Sequence, residues 1–292
     1  MKNYKLVACL LAFVVAVTVA SAAADAPPLT FKFKKVNVPG AVTTTPGGIN
    51  NGGLTVGQYE DKNLVLHGYI LKGKHVTTVD NPKGTNTSCS NLALNGPIAV
   101  VGVYTNSVGS GEGFLYKGGK FTDIPGPKGA IASSANAIND HGDIVGNYLD
   151  AGGVTHGFLL KSKKYKTLDV PGATASTATG INNKGQIVLY WADSAGATES
   201  SFYNGKTYKT INVPGAVTST ALDLNSTGDV VYQWTDSSGN PHDALRYKGK
   251  YYKFDYPKNV FTYAGALNDH HVIVGGFTAT SGGALQGFEA TF

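Results

Sequence analysis

A dipeptide of Ile or Leu followed by Asn returns along this chain at a nearly constant interval. It falls at Ile49-Asn50, Leu94-Asn95, Ile138-Asn139, Ile181-Asn182, Leu224-Asn225 and Leu267-Asn268, its asparagines 43 to 45 residues apart. A period in the low forties that holds four short β-like runs is that of a propeller blade, a unit that buries its faces by stacking on copies of itself. The stretch Tyr165 to Trp191, YKTLDVPGATASTATGINNKGQIVLYW, shows the unit most clearly. Ser176 to Asn182 is small and polar, Gln186 to Ala192 is apolar and β-rich, and Thr198–Tyr203 and Thr207–Val213 follow as third and fourth runs. Asn183-Lys184-Gly185 and Asn204-Gly205 supply the turns between them. No stretch after the N-terminal region keeps a helical period.

The two ends of the repeat predict how the ring closes. Phe31–Val38, followed by Pro39-Gly40, matches the fourth strand of a unit, whereas the chain stops at Phe292 after a third strand. Pairing Phe31–Val38 with Leu285–Phe292 removes the open edge. The expected fold is therefore all-β: a six-bladed β-propeller with four antiparallel strands per blade, in which the N-terminal strand forms the outside of blade six. First strands such as TPGGIN, STATGIN and AGALN are poor in bulky side chains, as crowding around the axis requires.

Residues 1–24 read as a secretory signal peptide, leaving residues 25–292 as a single propeller domain. Lys2 and Lys5 form the basic start, Leu6 to Val19 the apolar run, and Ala20-Ser21-Ala22 a small-x-small cleavage signal. No other stretch is apolar enough to span a membrane. The expectation is a soluble protein, periplasmic or extracellular, and a monomer. The mature chain keeps one cysteine, Cys89, which excludes an internal disulfide. The net charge of +5 falls to +3 when Lys2 and Lys5 leave with the leader, too little to imply nucleic acid. Ten lysines gather at the hairpins between third and fourth strands: Lys72, Lys74, Lys117, Lys120, Lys161, Lys163, Lys164, Lys206, Lys248 and Lys250. Such a rim either attracts anionic envelope polymers or guards the outer edge strands.

The triplets His67-Gly68-Tyr69 and His156-Gly157-Phe158, with His242-Asp243-Ala244-Leu245, stand after V-G-x-Y-like strands and before V-P-G segments. Together with "VPGA" and "GINxxGxIVG", they resemble the repeats of the HAF family of bacterial extracellular repeat proteins. The resemblance covers most of residues 31–292 and implies an exported propeller, with no catalytic residues to carry over. Leu189 and Tyr232 stand where the pattern has the glycine of "VG", and Glu112 and Glu199 where it has histidine.

The repeated asparagines read as turn caps, and Asn139-Asp140-His141-Gly142-Asp143 lacks the ligand pattern of a calcium loop. Histidine and acid alternate at the start of the third strands, as His67, Glu112, His156, Glu199, His242 and Gln286, too far from the axis to share a metal. Neither a metal site nor a cofactor is expected. Aromatic residues end the second strands: Tyr59, Tyr104, Tyr148, Trp191, Trp234 and Phe277. Both tryptophans of the chain fall here, with Tyr190, Asp193 and Asp236 close by in sequence. Aromatic faces beside carboxylates suit sugar binding, so Trp191, Trp234 and Tyr190 are the ligand-binding candidates. Asp223 is the single charge at the position before Ile/Leu-Asn, and it either lines the channel or lies buried against a neighbouring blade. Asp223, Asp193 and Asp236 are the catalytic candidates, should they converge.

Three functions fit. The first is a non-enzymatic recognition module for a glycan or envelope polymer. The second is a polysaccharide lyase or hydrolase with carboxylates at the channel mouth, needing Asp223 within about 5–9 Å of Asp193 or Asp236. The third is a scaffold without a small ligand, which a channel closed by side chains favours. No phosphate loop, nucleophile elbow or metal-helix motif occurs, so the sequence leans away from an enzyme.

Overall fold

A computed structural model describes residues 29–258 and 261–292; the expected signal peptide lies outside the described residues. Six four-stranded antiparallel sheets follow one another along the chain. Blade one is representative, with strands Thr43–Ile49, Thr55–Glu60, Leu66–Lys72 and His75–Thr78 from the axis outward. The last sheet is completed by Lys32–Lys35, which pairs antiparallel with Gln286–Thr291. The ring is closed as the repeat ends require, and no edge is left open there. Aromatic stacking supports the closure. Phe33 meets Tyr256 at 5.2 Å and Phe288 at 5.6 Å, and Phe31 stacks on Phe254 at 4.8 Å.

The core lies between blades. One cluster joins Val56, Ile70 and Val79 of blade one to Cys89, Leu92, Val100 and Phe114 of blade two. Cys89 is 1% exposed, and burial pushes its thiol up to about 12. It therefore acts as a small core residue at neutral pH.

Volume is shared across each blade by cross-strand pairs. In four blades a second-strand glycine faces an aromatic of the third strand: Gly57 and Tyr69, Gly102 and Phe114, Gly146 and Phe158, Gly275 and Phe288. A Cβ on Gly146 would lie 1.9 Å from the Ser134 carbonyl oxygen and 2.9 Å from the Phe158 ring. Where the glycine is lost, the aromatic is lost with it: Leu189 faces Ser201 and Tyr232 faces Ala244. The two departures from the repeat are thus exchanges of bulk between neighbouring strands.

Every inner strand carries a bulge just before its end, as between Ala178 and Gly180. The bulged residue reaches the next blade: Thr179 Oγ1 donates to the Ala221 carbonyl at 2.8 Å, and Asn136 Nδ2 to that of Ala178 at 2.9 Å. The asparagine mark follows. Asn182 Oδ1 accepts the amides of Lys184 and Gln186, while its Nδ2 donates to the Asn225 carbonyl of the next blade at 3.1 Å. Asn139 and Asn268 bridge forward in the same way. Blade two corrects the ruler. Register places Leu92 and Ala93 where other blades have Ile/Leu-Asn, so Asn95 stands two residues beyond the mark.

The meander gives the ring two unlike faces. Connections from first to second and third to fourth strands emerge on one face, and all ten hairpin lysines stand exposed there. Connections from second to third strands, and from blade to blade, emerge on the other. Seven of the eight large hydrophobic residues exposed among the described residues are on this loop face: Val42, Leu64, Val65, Val108, Ile131, Val154 and Val217. The eighth, Ile98, is on the lysine face.

Candidate functional site

The loop face carries a cluster that repeats in blades one, three and five. Each begins with the aromatic that ends the second strand. Two residues later an aspartate builds the loop: Asp61 Oδ1 accepts the amides of Asn63 at 2.8 Å and Val65 at 2.9 Å, and Asp150 and Asp236 do the same in their own loops. The third strand then returns with a histidine packed against that aromatic, stacked in blades one and three and tilted in blade five. Ring centroids are 5.1 Å apart for Tyr59 and His67, 5.0 Å for Tyr148 and His156, and 5.0 Å for Trp234 and His242.

A second aspartate, thirteen residues after each histidine, completes the cluster from the segment that leads to the next blade. His67 Nδ1 lies 2.7 Å from Asp80, His156 Nδ1 2.9 Å from Asp169, and His242 Nδ1 3.0 Å from Asp255. The opposite ring nitrogen faces the loop aspartate, at 3.8, 3.3 and 3.3 Å for Asp61, Asp150 and Asp236. Each imidazole is thus held between two carboxylates on opposite edges. Among the described residues, no group of three or more His, Cys, Asp or Glu is disposed to hold a metal ion.

The charges respond accordingly. Burial opposes the charge on His156, but hydrogen bonds to Asp169 and Asp150 outweigh it and raise its pKa. The backbone amide of Asn240, helped by the Asn240 and His242 side chains, holds Asp236 down at about 2. The amide of Val65 likewise lowers Asp61, and that of Val154 lowers Asp150. Each cluster presents two carboxylates with lone pairs left for a further donor, and in blade five the Lys253 ammonium stands 3.8 Å from one of them, Asp255.

Blades two and four use acids in place of histidine. Asn106 Nδ2 donates to Glu112 at 3.3 Å, and Asn212 donates to Glu199. Blade six places Gln286 there, accepting from Lys35 Nζ at 2.9 Å, while Tyr256 stacks on Phe277 at 3.6 Å.

Each candidate read from the sequence has a definite place. Trp191 is half-buried and donates from Nε1 to Ser201 Oγ at 3.0 Å. Tyr190, one residue earlier in the strand, projects from the opposite face of the sheet and shares no surface with it. Trp234 packs against His242 and lies 5.6 Å from the Lys253 ammonium, which itself sits 3.3 Å from His242 Nε2, and the buried Nε1 of Trp234 has no hydrogen-bond partner. Asp193 and Asp236 cap their loops. Asp223 is 5% exposed and lies beside the axis, where it accepts from the amides of Leu224 and Leu267 and from the Asn91 side chain. Asn91 belongs to blade two, diametrically opposite blade five, so the pair joins opposite sides of the ring across the channel.

The carboxylates do not converge. Asp223 pairs with Val231, five residues along the strand from Asp236, or about 16 Å. Asp193 bears the same relation to Val188, which pairs with Gly180 at the Asp223 level of blade four. Either separation exceeds the roughly 5–9 Å of paired-carboxylate hydrolysis.

Sequence reasoning passed over Asp80, Asp169 and Asp255. The fixed spacing from each histidine, and the proline two residues after each aspartate, were the available signal. It also passed over a girdle at the lysine-face mouth of the channel. There Asp269 accepts from Ser226 and Asn51, and Asp140 from Asn95 and Asn183. Burial tends to raise Asp140, but these donors outweigh it and lower its pKa.

No protein-family model matches this chain, and no curated protein matches it. Solved structures do. A lectin from Aleuria aurantia, solved with α-methyl-L-fucoside, is 16% identical over 88% of this chain and 93% of its own, with a TM-score of 0.53. The SapL1 lectin, solved with α-methyl fucoside, is 11% identical over 87% and 94%, at 0.54. TolB from Acinetobacter baumannii is 12% identical over 80% and 62%, at 0.56. At these identities the likeness is one of fold, and a related Aleuria aurantia structure is described as a six-bladed β-propeller.

Proposed function

We propose that this protein is an exported recognition module that binds a glycan through its loop face. The observation that carries the reading is the threefold recurrence of aromatic, histidine and paired aspartates in blades one, three and five. Each cluster joins an apolar ring surface to fixed carboxylate acceptors, the two elements that sugar C–H faces and hydroxyls require. Leu64, Val65 and Val154 extend the apolar surface beside two of the clusters. Three equivalent sites on one rigid ring suit a repeating polymer, because each further contact is made within an existing complex. The fold likeness to lectins agrees with this reading. So does the resemblance to HAF-type extracellular repeats, with export directed by residues 1–24.

The experiment is retention of purified residues 25–292 on a glycan array, followed by Trp234→Ala and Trp191→Ala. Specific retention that falls at least about tenfold in Trp234→Ala, with folding intact, supports the loop face as the site. Retention unchanged in both variants refutes it.

A further inference from the structure

The loop-face clusters are not all used alike by the chain itself. Toward the loop end of each fourth strand, one residue pairs with the third-strand residue two places beyond the histidine or its substitute. Register puts Thr78, Asp123, Thr167, Thr210, Lys253 and Lys35 there in blades one to six. Blades five and six use this position to set an ammonium over the second-strand aromatic. Lys253 Nζ stands 5.6 Å from the Trp234 ring, 3.3 Å from His242 Nε2 and 3.8 Å from Asp255. Lys35 Nζ stands 5.4 Å from the Phe277 ring and donates to Gln286 at 2.9 Å. Blade two reaches a similar pairing by another route: Asp123 accepts from the Tyr104 hydroxyl at 3.4 Å and is paired with Lys83. Blade four has no such lysine, and Asn212 takes up its Glu199.

Blades one and three keep the aromatic, the histidine and both aspartates but supply no ammonium. Thr78 and Thr167 stand in place of lysine, and their hydroxyls meet those of Tyr59 and Tyr148 at 3.2 Å. Among the described residues, Asp80 and Asp169 each have a histidine as their one ion-pair partner. Both carboxylates are 45% exposed, against 29% for Asp255, so a solute can reach them. Asp80 also lines a cavity of about 150 Å³ with Val65, His67, Thr85 and Asn86. Asn86 turns outward in a bulge, at a φ of 51°, and stands exposed beside Thr85. The volume is below the roughly 300 Å³ of sites for drug-sized ligands and suits a single sugar unit.

We infer that the clusters of blades one and three bind the primary ammonium of an amino sugar. The ammonium takes the place that Lys253 holds in blade five, beside the second aspartate and the aromatic ring, where carboxylate and ring face both attract a cation. In blade one the sugar hydroxyls reach Thr85 and Asn86. The inference rests on the glycan reading and names the sugar class for two of its sites.

The test is an NMR titration of the full mature protein that follows the imidazole signals of His67, His156 and His242. The probes are the glucosamine trimer, its fully N-acetylated form and trilysine, at a fixed, mildly acidic pH that keeps the amines charged. The glucosamine trimer is expected to move His67 and His156 and to leave His242 in place. The N-acetylated trimer is expected to bind about tenfold more weakly. Thr78→Lys, which copies blade five, should silence His67 while His156 still responds. Lys253→Ala should make His242 respond as well. The inference is overturned if the two sugars bind equally, if His67 responds in Thr78→Lys as in the parent, if His242 stays unmoved in Lys253→Ala, or if trilysine binds as tightly as the sugar. A glycan array that retains the protein on uncharged sugars, with no histidine moved by the glucosamine trimer, overturns this inference and leaves the loop-face reading standing.

Discussion

Replacing Asp223 by Asn tests how the channel is closed. Burial is the main cause that raises Asp223, to about 7, against the pull of the Leu224 and Leu267 amides and Asn91. In the unfolded chain the same carboxyl titrates near 3.9. Between about pH 4 and 7 the native state therefore holds a proton that the unfolded state has released. Stability attributable to this group is fully present below pH 4, falls as pH rises to 7, and is flat above. Three units at about 1.36 kcal/mol each give about 4 kcal/mol lost by pH 8. An asparagine keeps an oxygen for the two amides and does not ionise. Urea unfolding of parent and Asp223→Asn at pH 4.5 and 8 measures the effect. The expected outcome is near-equality at pH 4.5 and a variant more stable by about 2–4 kcal/mol at pH 8. An equal difference at both pH values would show that Asp223 does not carry the proton, and the reasoning fails. Asp243, raised well above the usual range by its burial, leaves a residual slope of the same sign in the variant.

Other predictions follow from single contacts. Asn182→Ala removes two loop caps and the bridge to the Asn225 carbonyl, and should lower unfolding free energy by about 2–4 kcal/mol in urea titration. Phe158→Ser should cost about 3–5 kcal/mol, Gly146→Leu should also destabilise because its Cβ meets both the Ser134 carbonyl and the Phe158 ring, and the double variant, which reproduces the Leu189–Ser201 pair of blade four, should lose about 1–3 kcal/mol less than the sum of the two. Strict additivity would refute the exchange of bulk. The His156 imidazole should titrate above 6.5 by NMR, and Asp169→Asn should bring it down; its stabilising contribution is present below pH 6.5 and is lost as pH rises through the folded value. A midpoint unmoved in Asp169→Asn would refute the ion pair.

Periodicity settled the architecture because it is a property of the chain. Six asparagine-marked units and an orphan strand at Phe31–Val38 specify blade number, strand order and closure before any coordinate is known. The misplaced mark at Asn95 has the same origin. A longer turn after Ala93 shifts the dipeptide by two residues, and sequence spacing alone does not separate a mark from a neighbour that mimics it. Contacts between units were not legible. Asn91 and Asp223 meet because sixfold closure sets blades two and five opposite each other at the axis. Asp80 reaches His67 because the interblade segment folds back over the third strand. Local pattern reports what each strand needs, namely its alternation, turn residues and small inner side chains. Which strands then face one another across a ring is fixed only when the circle closes, and that is where the charges of this protein find their partners.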